Sequence, residues 1–222
     1  MPAHVDLERA GLRLRLLPER AVWWADEATL FIADPHFGKA AAYRALGQPV
    51  PRGTTGETLA RLDRLLAQWP ARRLVVLGDF LHAPEAHAPA TLAAMQRWRE
   101  RHPRLDCVLV RGNHDDRAGD PPPALGIAVV DEPLALGPLR LWHAPPPPER
   151  VPPGCFALGG HLHPAYVLRT RHERLRLPCY LFGPAVGVLP AFGAFTGSAE
   201  VWPGPLDTVC VVGDGEVFRV AG

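Results

Sequence analysis

Lysine and asparagine are almost missing from this 222-residue chain: Lys39 is the only lysine and Asn113 the only asparagine, although arginine is plentiful. Such scarcity indicates a coding bias against both residue types, and a residue that survives alone is expected to be there for its side chain. Lysine offers a compact ammonium that arginine does not imitate, and asparagine a neutral carbonyl oxygen that aspartate does not. Paired cysteines are missing too. Cys107, Cys155, Cys179 and Cys210 lie far apart with no CxxC among them, which argues against a zinc ribbon or dithiol redox motif and fits a reducing cytoplasm. No run approaches the ~18 consecutive apolar residues of a membrane span, and the first twenty residues contain no apolar signal-like core. A cytoplasmic protein without membrane association is expected. Charge imbalance is absent as well. The formal net charge is +1, so the whole molecule does not announce a nucleic-acid binder. Such binding would come from local patches, RWRERHPR (97–104) and RTRHERLR (169–176).

What is present is a series of short apolar runs that each end in a polar cluster. TLFIA (29–33) leads into DPHFGK, RLVVL (73–77) into GDFLH, CVLV (107–110) into RGNHD, LRLW (139–142) into His143, and CFAL (155–158) into GGHLHP. These runs have strand length and strand composition. Helical patterns separate some of them. Thr54 and Glu57 have capping-box spacing ahead of a stripe of Leu59, Leu62, Leu65, Leu66 and Trp69. Pro89 opens a second helix with Leu92, Met95 and Trp98 on one face. Alternating strands and helices indicate an α/β sheet, whose ligands bind beyond the carboxyl ends of the strands. The second half reads as antiparallel strands of another sheet, with a hairpin in VVDEPLALGPLRLW (129–142) turning at Gly137–Pro138 and a stiff surface loop in APPPPERVPPG (144–154). No repeat and no linker divides the chain, so one domain over residues 1–222 is expected.

The strand ends together carry Asp34, His36, Asp79, His82, Asn113, His114, Asp115, His143, His161 and His163. Singly, each has an ordinary explanation as a cap, a turn residue or a hydrogen-bonded histidine. Jointly, they form a mixed nitrogen and oxygen ligand set with no thiolate, which suits manganese, iron or zinc better than calcium. There are too many ligands for one tetrahedral ion and enough for two ions sharing a carboxylate, the arrangement of two-metal phosphatases and nucleases.

The blocks DPH, GDFLH, GNHD, a lone histidine and GHLH, in this order over residues 34–163, resemble the signature of the calcineurin-like metallophosphoesterases. PERAVWW near the start and LRLPCYLFGPAVGVLPAFGAFTGS resemble the ligase-associated DNA-damage-response endonucleases, a bacterial clade encoded beside a helicase, an ATP-dependent ligase and an exonuclease. The resemblance covers nearly the whole chain. It implies a four-layer α/β sandwich of two mixed sheets flanked by helices, with the active site at the strand carboxyl ends. It also implies two divalent ions, manganese by preference. One would be held by Asp34, His36, Asp79 and His163, and the other by Asp79 as the bridge with Asn113, His143 and His161. Pro35 departs from many relatives, but its side chain is no ligand in the pattern.

The implied activity is a DNA endonuclease of bacterial repair, working by in-line attack of a metal-bridging hydroxide on a phosphodiester. His114 would stabilise the transition state or protonate the leaving oxygen. Magnitudes favour metals over bare acid–base chemistry: phosphate-ester hydrolysis requires accelerations up to ~10²¹, whereas one positioned acid or base supplies only roughly 10²–10⁴. GDxxH, with His82, resembles the double-strand-break repair nucleases rather than the GDxxD phosphatases, and places His82 at the scissile phosphate or behind His114. Lys39, Arg169 and Arg171 are further candidates for phosphate contact. The expected substrate is single-stranded or circular DNA. A phosphodiesterase for cyclic nucleotides or nucleotide pyrophosphates is the alternative. A non-catalytic scaffold is weaker, because all seven ligand positions hold a competent residue.

Overall fold

The computed structural model describes residues 3–50, 53–169, 171 and 173–221, so Thr170 and His172 of the second basic stretch lie outside it. The first half of the chain builds a seven-stranded sheet. Its strands are β1 (Val5–Arg9), β2 (Leu12–Leu16), β3 (Val22–Trp24), β4 (Thr29–Ala33), β5 (Arg73–Leu77), β6 (Asp106–Val110) and β7 (Ile127–Val130), adjacent in that order. β1 to β4 pair antiparallel, and β4 to β7 pair parallel. The parallel part is buried on both faces, which is why β4 is buried at all five positions.

Among the described residues, this half holds four α-helices: α1 (Lys39–Ala45), α2 (Thr54–Gln68), α3 (Pro89–Arg101) and α4 (Asn113–Ala118). Leu59, Leu62 and Leu65 of α2 and Met95 and Trp98 of α3 pack with Leu30, Ile32, Leu74, Val76 and Leu109 of the sheet. The helical stripes therefore cover one sheet face. The capping box at Thr54 and Glu57 does not form. Gly53 is the N-cap residue, with φ of 87°, so Thr54 already lies inside the helix and its carbonyl accepts the Thr58 hydroxyl at 3.0 Å.

The second sheet contains β8 (Leu134–Leu136), β9 (Leu139–Leu141), β10 (Phe156–Gly159), β11 (Pro164–Arg169), β12 (Arg174–Phe182), β13 (Val186–Val188), β14 (Ala199–Glu200), β15 (Thr208–Gly213) and β16 (Glu216–Ala221). Its order is β14-β11-β12-β13-β10-β9-β8, with β15 and β16 continuing from β12. This sheet is mixed, because β10 runs parallel to both β9 and β13. The hairpin at Gly137–Pro138 joins β8 to β9. Val129 and Val130, read as part of that hairpin, belong instead to β7 of the first sheet, where β6 offers a parallel edge.

The two sheets face each other through a shared core. Leu14, Phe31, Val75 and Leu77 from the first meet Leu139, Leu141, Phe156, Leu158, Tyr180 and Phe182 from the second. Tyr180 ties them with a polar contact, its hydroxyl donating to the carbonyls of Leu17 and Ala21 at 2.6 and 2.9 Å. Among the described residues, no helix is long and apolar enough to cross a membrane.

Candidate metal centre

β4, β5, β6, β9 and β10 all deliver their carboxyl ends to one place on the seam between the sheets. Parallel neighbours in the first sheet stack Asp34, Asp79 and Asn113 side by side, one, two and three residues past their strands. The backbone there is unusual. Asp34, His36, Asp79, His161 and His163 all have positive φ, at 51°, 46°, 50°, 65° and 46°. Each such residue costs of order 1–3 kcal/mol and persists only where its surroundings over-determine it. Five together, all among the sequence-derived ligands, mark where the fold accepts strain for a purpose.

Among the described residues, the side chains form three clusters that could hold a cation, two of them joined at Asp79 and the third made of His36, His82 and His114. Ligand atoms from Asp34, His36, Asp79 and His163 lie within 4.8 Å of one another, as do those from Asp79, His143 and His161. Second nitrogens fix the rings. His143 Nδ1 faces the Leu77 carbonyl at 3.2 Å, and His163 Nδ1 faces the Gly197 carbonyl at 3.2 Å. With those nitrogens donating, each Nε2 carries a lone pair inward. His143 Nε2 then looks at Asn113 Oδ1 (2.9 Å), His161 Nδ1 (3.0 Å) and Asp79 Oδ1 (3.4 Å). His163 Nε2 looks at His36 Nε2 (3.3 Å) and Asp34 Oδ2 (3.6 Å). Acceptors converging on acceptors are repulsive unless a proton or a metal cation lies between them. Asp34 states the same need directly: its carboxylate is fully buried, and Oδ1 has no hydrogen-bond partner. The residues fit two cations.

Among solved structures, a Pseudomonas putida nuclease designated MPE superposes with a TM-score of 0.86 and 46% sequence identity, covering 98% of this chain and all of the other. The chain belongs to the calcineurin-like metallophosphoesterases. A protein of unknown function from Aquifex aeolicus (20% identity, 65% of this chain and 81% of the other) and a phosphoesterase from E. coli (19%, 87% and 98%) superpose only at TM-score 0.40. Comparison with family models and with curated protein sequences returns no match.

Burial tunes the protonation of this metallophosphoesterase. It pushes the His36 imidazole far below its ordinary range, with Lys39 adding to the effect, and takes His82 down to about 4 for the same two reasons. Both rings are held neutral, the form in which an imidazole can bind a metal. Burial raises Asp34, with His163 opposing it. Burial works to lower His163, but the Asp34 carboxylate and the Gly197 carbonyl outweigh it and leave the ring raised.

Beside the two clusters joined at Asp79, His82 and His114 stack with ring centroids 4.7 Å apart. His114 Nδ1 lies 2.7 Å from the His82 carbonyl, and His82 Nδ1 lies 3.3 Å from His36 Nδ1. Lys39 is half-buried at the start of α1, close enough to feel the charges of Asp34 and Asp79. Arg169 and Arg171 are not gathered there. Arg169 ends β11, paired with Glu200 and lying over the Trp202 ring, and Arg171 is exposed in the turn beyond it.

Two acids missing from the ligand reading hold the loops in place. Asp115 is buried and accepts from the backbone nitrogens of Leu81 (2.9 Å) and Gly112 (3.0 Å), clamping the GDFLH loop to the start of α4. Its position two after Asn113 marks it as a cap of the following helix, and its bond to the Gly112 nitrogen makes it one. Glu132 accepts from the backbone nitrogens of His143 (2.7 Å) and Ala144 (3.2 Å). Nothing in local sequence marks it, because its partners lie eleven and twelve residues away. Gly78 and Gly160 are required by close approach. A Cβ on Gly78 would fall inside the His143 ring, and one on Gly160 would come within 2.6 Å of Asp34 Oδ2.

Proposed function

We propose that this metallophosphoesterase is a manganese-dependent DNA endonuclease of bacterial repair, acting as one catalytic domain in the cytoplasm. One observation carries the reading: two cation-shaped clusters share Asp79, with a stacked histidine pair at their edge that neither cluster requires. The P. putida relative, alike over its full length, is a nuclease. The resemblance to ligase-associated enzymes supplies the repair setting and the functional association with a helicase, a ligase and an exonuclease.

Asp34, His36, Asp79 and His163 would hold one ion, and Asp79, Asn113, His143 and His161 the other. Bound there, divalent ions supply Lewis-acid polarisation of phosphate oxygens and draw the pKa of water towards about 7. The chain's own groups do the rest. Asn113 contributes a neutral oxygen, which limits the negative charge facing a phosphodiester. His114, its Nδ1 donating to the His82 carbonyl, leaves Nε2 for the leaving oxygen, which it would protonate only as an imidazolium. His82, neutral through burial, accepts or donates at the scissile phosphate without adding charge. Lys39 offsets the acids and meets a phosphate at the α1 end of the site.

The test begins with metal-stripped protein, manganese added back, and circular single-stranded and supercoiled duplex DNA as substrates. Manganese-dependent opening of the circles, lost in Asp79→Ala and Asn113→Ala, is the expected result. Intact circles with rapid hydrolysis of bis-p-nitrophenyl phosphate would replace the endonuclease by a phosphodiesterase for small molecules, a reading that the near-neutral charge of the chain accommodates.

A further inference from the structure

We propose that one face of the β14–β11–β12 ribbon is a platform for single-stranded nucleic acid, on which Trp202 stacks a base while Arg174 and Arg176 contact phosphates. The proposal rests on the nuclease reading and names the form of substrate that the site receives.

Register defines the face. β11 pairs with β12 so that Val167 opposes Arg176 and Arg169 opposes Arg174. β14 runs parallel to β11 with Ala165 opposite Glu200, and the Val201 nitrogen continues the ladder to the Ala165 carbonyl at 2.9 Å. Alternation along the strands then sorts the side chains. Tyr166, Leu177 and Val201 point one way and pack against Cys179, Val209 and Val211. Arg169, Arg174, Arg176, Glu200 and Trp202 take the other side. The Arg169 guanidinium sits 5.5 Å from the Trp202 ring centroid, which fixes the indole on that face.

A lone exposed tryptophan decides nothing; its setting does. Trp202 is 78% exposed, the most exposed of the large apolar side chains among the described residues. Beside it, like charges stand directly opposed at Arg169 and Arg174, an arrangement that destabilises a bare sheet. Glu200 answers Arg169. Among the described residues, no acid pairs with Arg174 or Arg176. Residues 164–182 hold four arginines and a single acid, Glu173, in a chain whose formal net charge is only +1. Even with Glu200 of β14, the ribbon carries more positive than negative charge, and a polyanion is its complement.

Position ties the ribbon to the metal centre. β11 begins at Pro164, immediately after His163, and the Ala199 nitrogen donates to the His163 carbonyl at 3.0 Å. Trp202 comes opposite Val167, four residues beyond His163, or roughly 13 Å along the strand. A strand crossing the metal clusters therefore reaches the indole within a few nucleotides. A flexible single strand can turn a base onto an aromatic ring, whereas the bases of an intact duplex already stack on each other.

The experiment uses the manganese-loaded enzyme, a fluorescein-labelled phosphorothioate oligothymidylate that resists cleavage, and a duplex of equal length. Trp202→Ala is expected to weaken oligothymidylate binding at least about tenfold, within the range for one stacked base, while Trp202→Phe retains most of the affinity. Duplex binding should change little. The double variant Arg174→Gln/Arg176→Gln should lower the slope of log affinity against log salt by roughly 1.4, for two phosphates of a single strand. Hydrolysis of bis-p-nitrophenyl phosphate should stay at the starting rate in every variant. Equal losses on single strand and duplex, or unchanged binding in Trp202→Ala alongside normal DNA cleavage, would overturn the platform and leave the nuclease standing. Failure of the unmodified enzyme to cleave any DNA would instead overturn the nuclease reading on which the platform rests.

Discussion

Asp34→Asn isolates the tension at the centre of this molecule. The carboxylate is fully buried, with Oδ2 accepting the His161 nitrogen at 2.9 Å and Oδ1 accepting nothing. If its purpose is to hold a cation, the wild-type protein without metal carries an uncompensated group and gains stability on loading. An ion present at a hundredfold over its Kd stabilises the folded state by about 2.7 kcal/mol, so two ions contribute about 5 kcal/mol. For a domain of this size, each kcal/mol moves Tm by roughly 2–4 °C, which predicts a rise of about 10–20 °C when manganese is added to stripped protein. Asn keeps one oxygen for the His161 nitrogen but removes the charge, and should lose about half of that rise. Metal-free Asp34→Asn should unfold no earlier than metal-free wild type. The assay is scanning calorimetry across a manganese titration, with circular dichroism confirming the fold. A full-sized rise in the variant would refute the assignment of Asp34 to a cation. A metal-free variant that is markedly less stable would show the carboxylate to be a structural acceptor instead.

Three further outcomes follow from the packing. Gly78→Ala sets a methyl into the His143 ring at a backbone φ of 75°, and should cost more than about 3 kcal/mol, read as a fall in denaturation midpoint together with loss of bound metal. Burial pushes the Cys107 and Cys210 thiols up to about 11 and Cys179 to about 12. Only Cys155, partly exposed, should react promptly with a thiol reagent at pH 8; prompt reaction of more than one thiol in folded protein contradicts this. Burial likewise holds the Tyr180 hydroxyl well above its ordinary value. Its contribution is therefore fully present below about pH 10 and lost above it, where the unfolded chain releases the proton and the folded one keeps it, a slope of about 1.4 kcal/mol per pH unit. Tyr180→Phe should lose about 1–2 kcal/mol at neutral pH and flatten the alkaline slope in urea titrations; an unchanged slope rejects the linkage.

The parallel core of the first sheet could be read from the chain because TLFIA, RLVVL and CVLV are apolar throughout and stop abruptly at polar residues. Both features follow from strands buried on two faces that open onto a site. β1 to β3 could not be read this way. LRLRL alternates leucine with arginine beside the edge strand β1, and Val22–Trp24 is three residues long. Such signals acquire meaning only once β4 is there to pair with. The seven residues with ligand chemistry are gathered where the strand ends suggested. What the sequence does not carry is the backbone that aims them. Positive φ at Asp34 or His163 has no compositional mark, because aspartate and histidine tolerate it without requiring it. The start of α2 illustrates the same limit in reverse, since Thr54 has the right chemistry for a cap but the left-handed Gly53 takes the position. Trp202 escaped notice because β14 is two residues long and its register is set entirely by β11.

The seam position of the clusters has a mechanical consequence. Asp34, His36, Asp79 and Asn113 come from the first sheet and His143, His161 and His163 from the second, so neither half of the chain owns a complete set. A cation seated there works as a rivet through two plates. Sliding the plates by the width of one side chain would break both coordination sets at once. Loading therefore reports on the docking of the two halves, and a substitution deep in the shared core, far from any ligand, can silence the centre by loosening the joint.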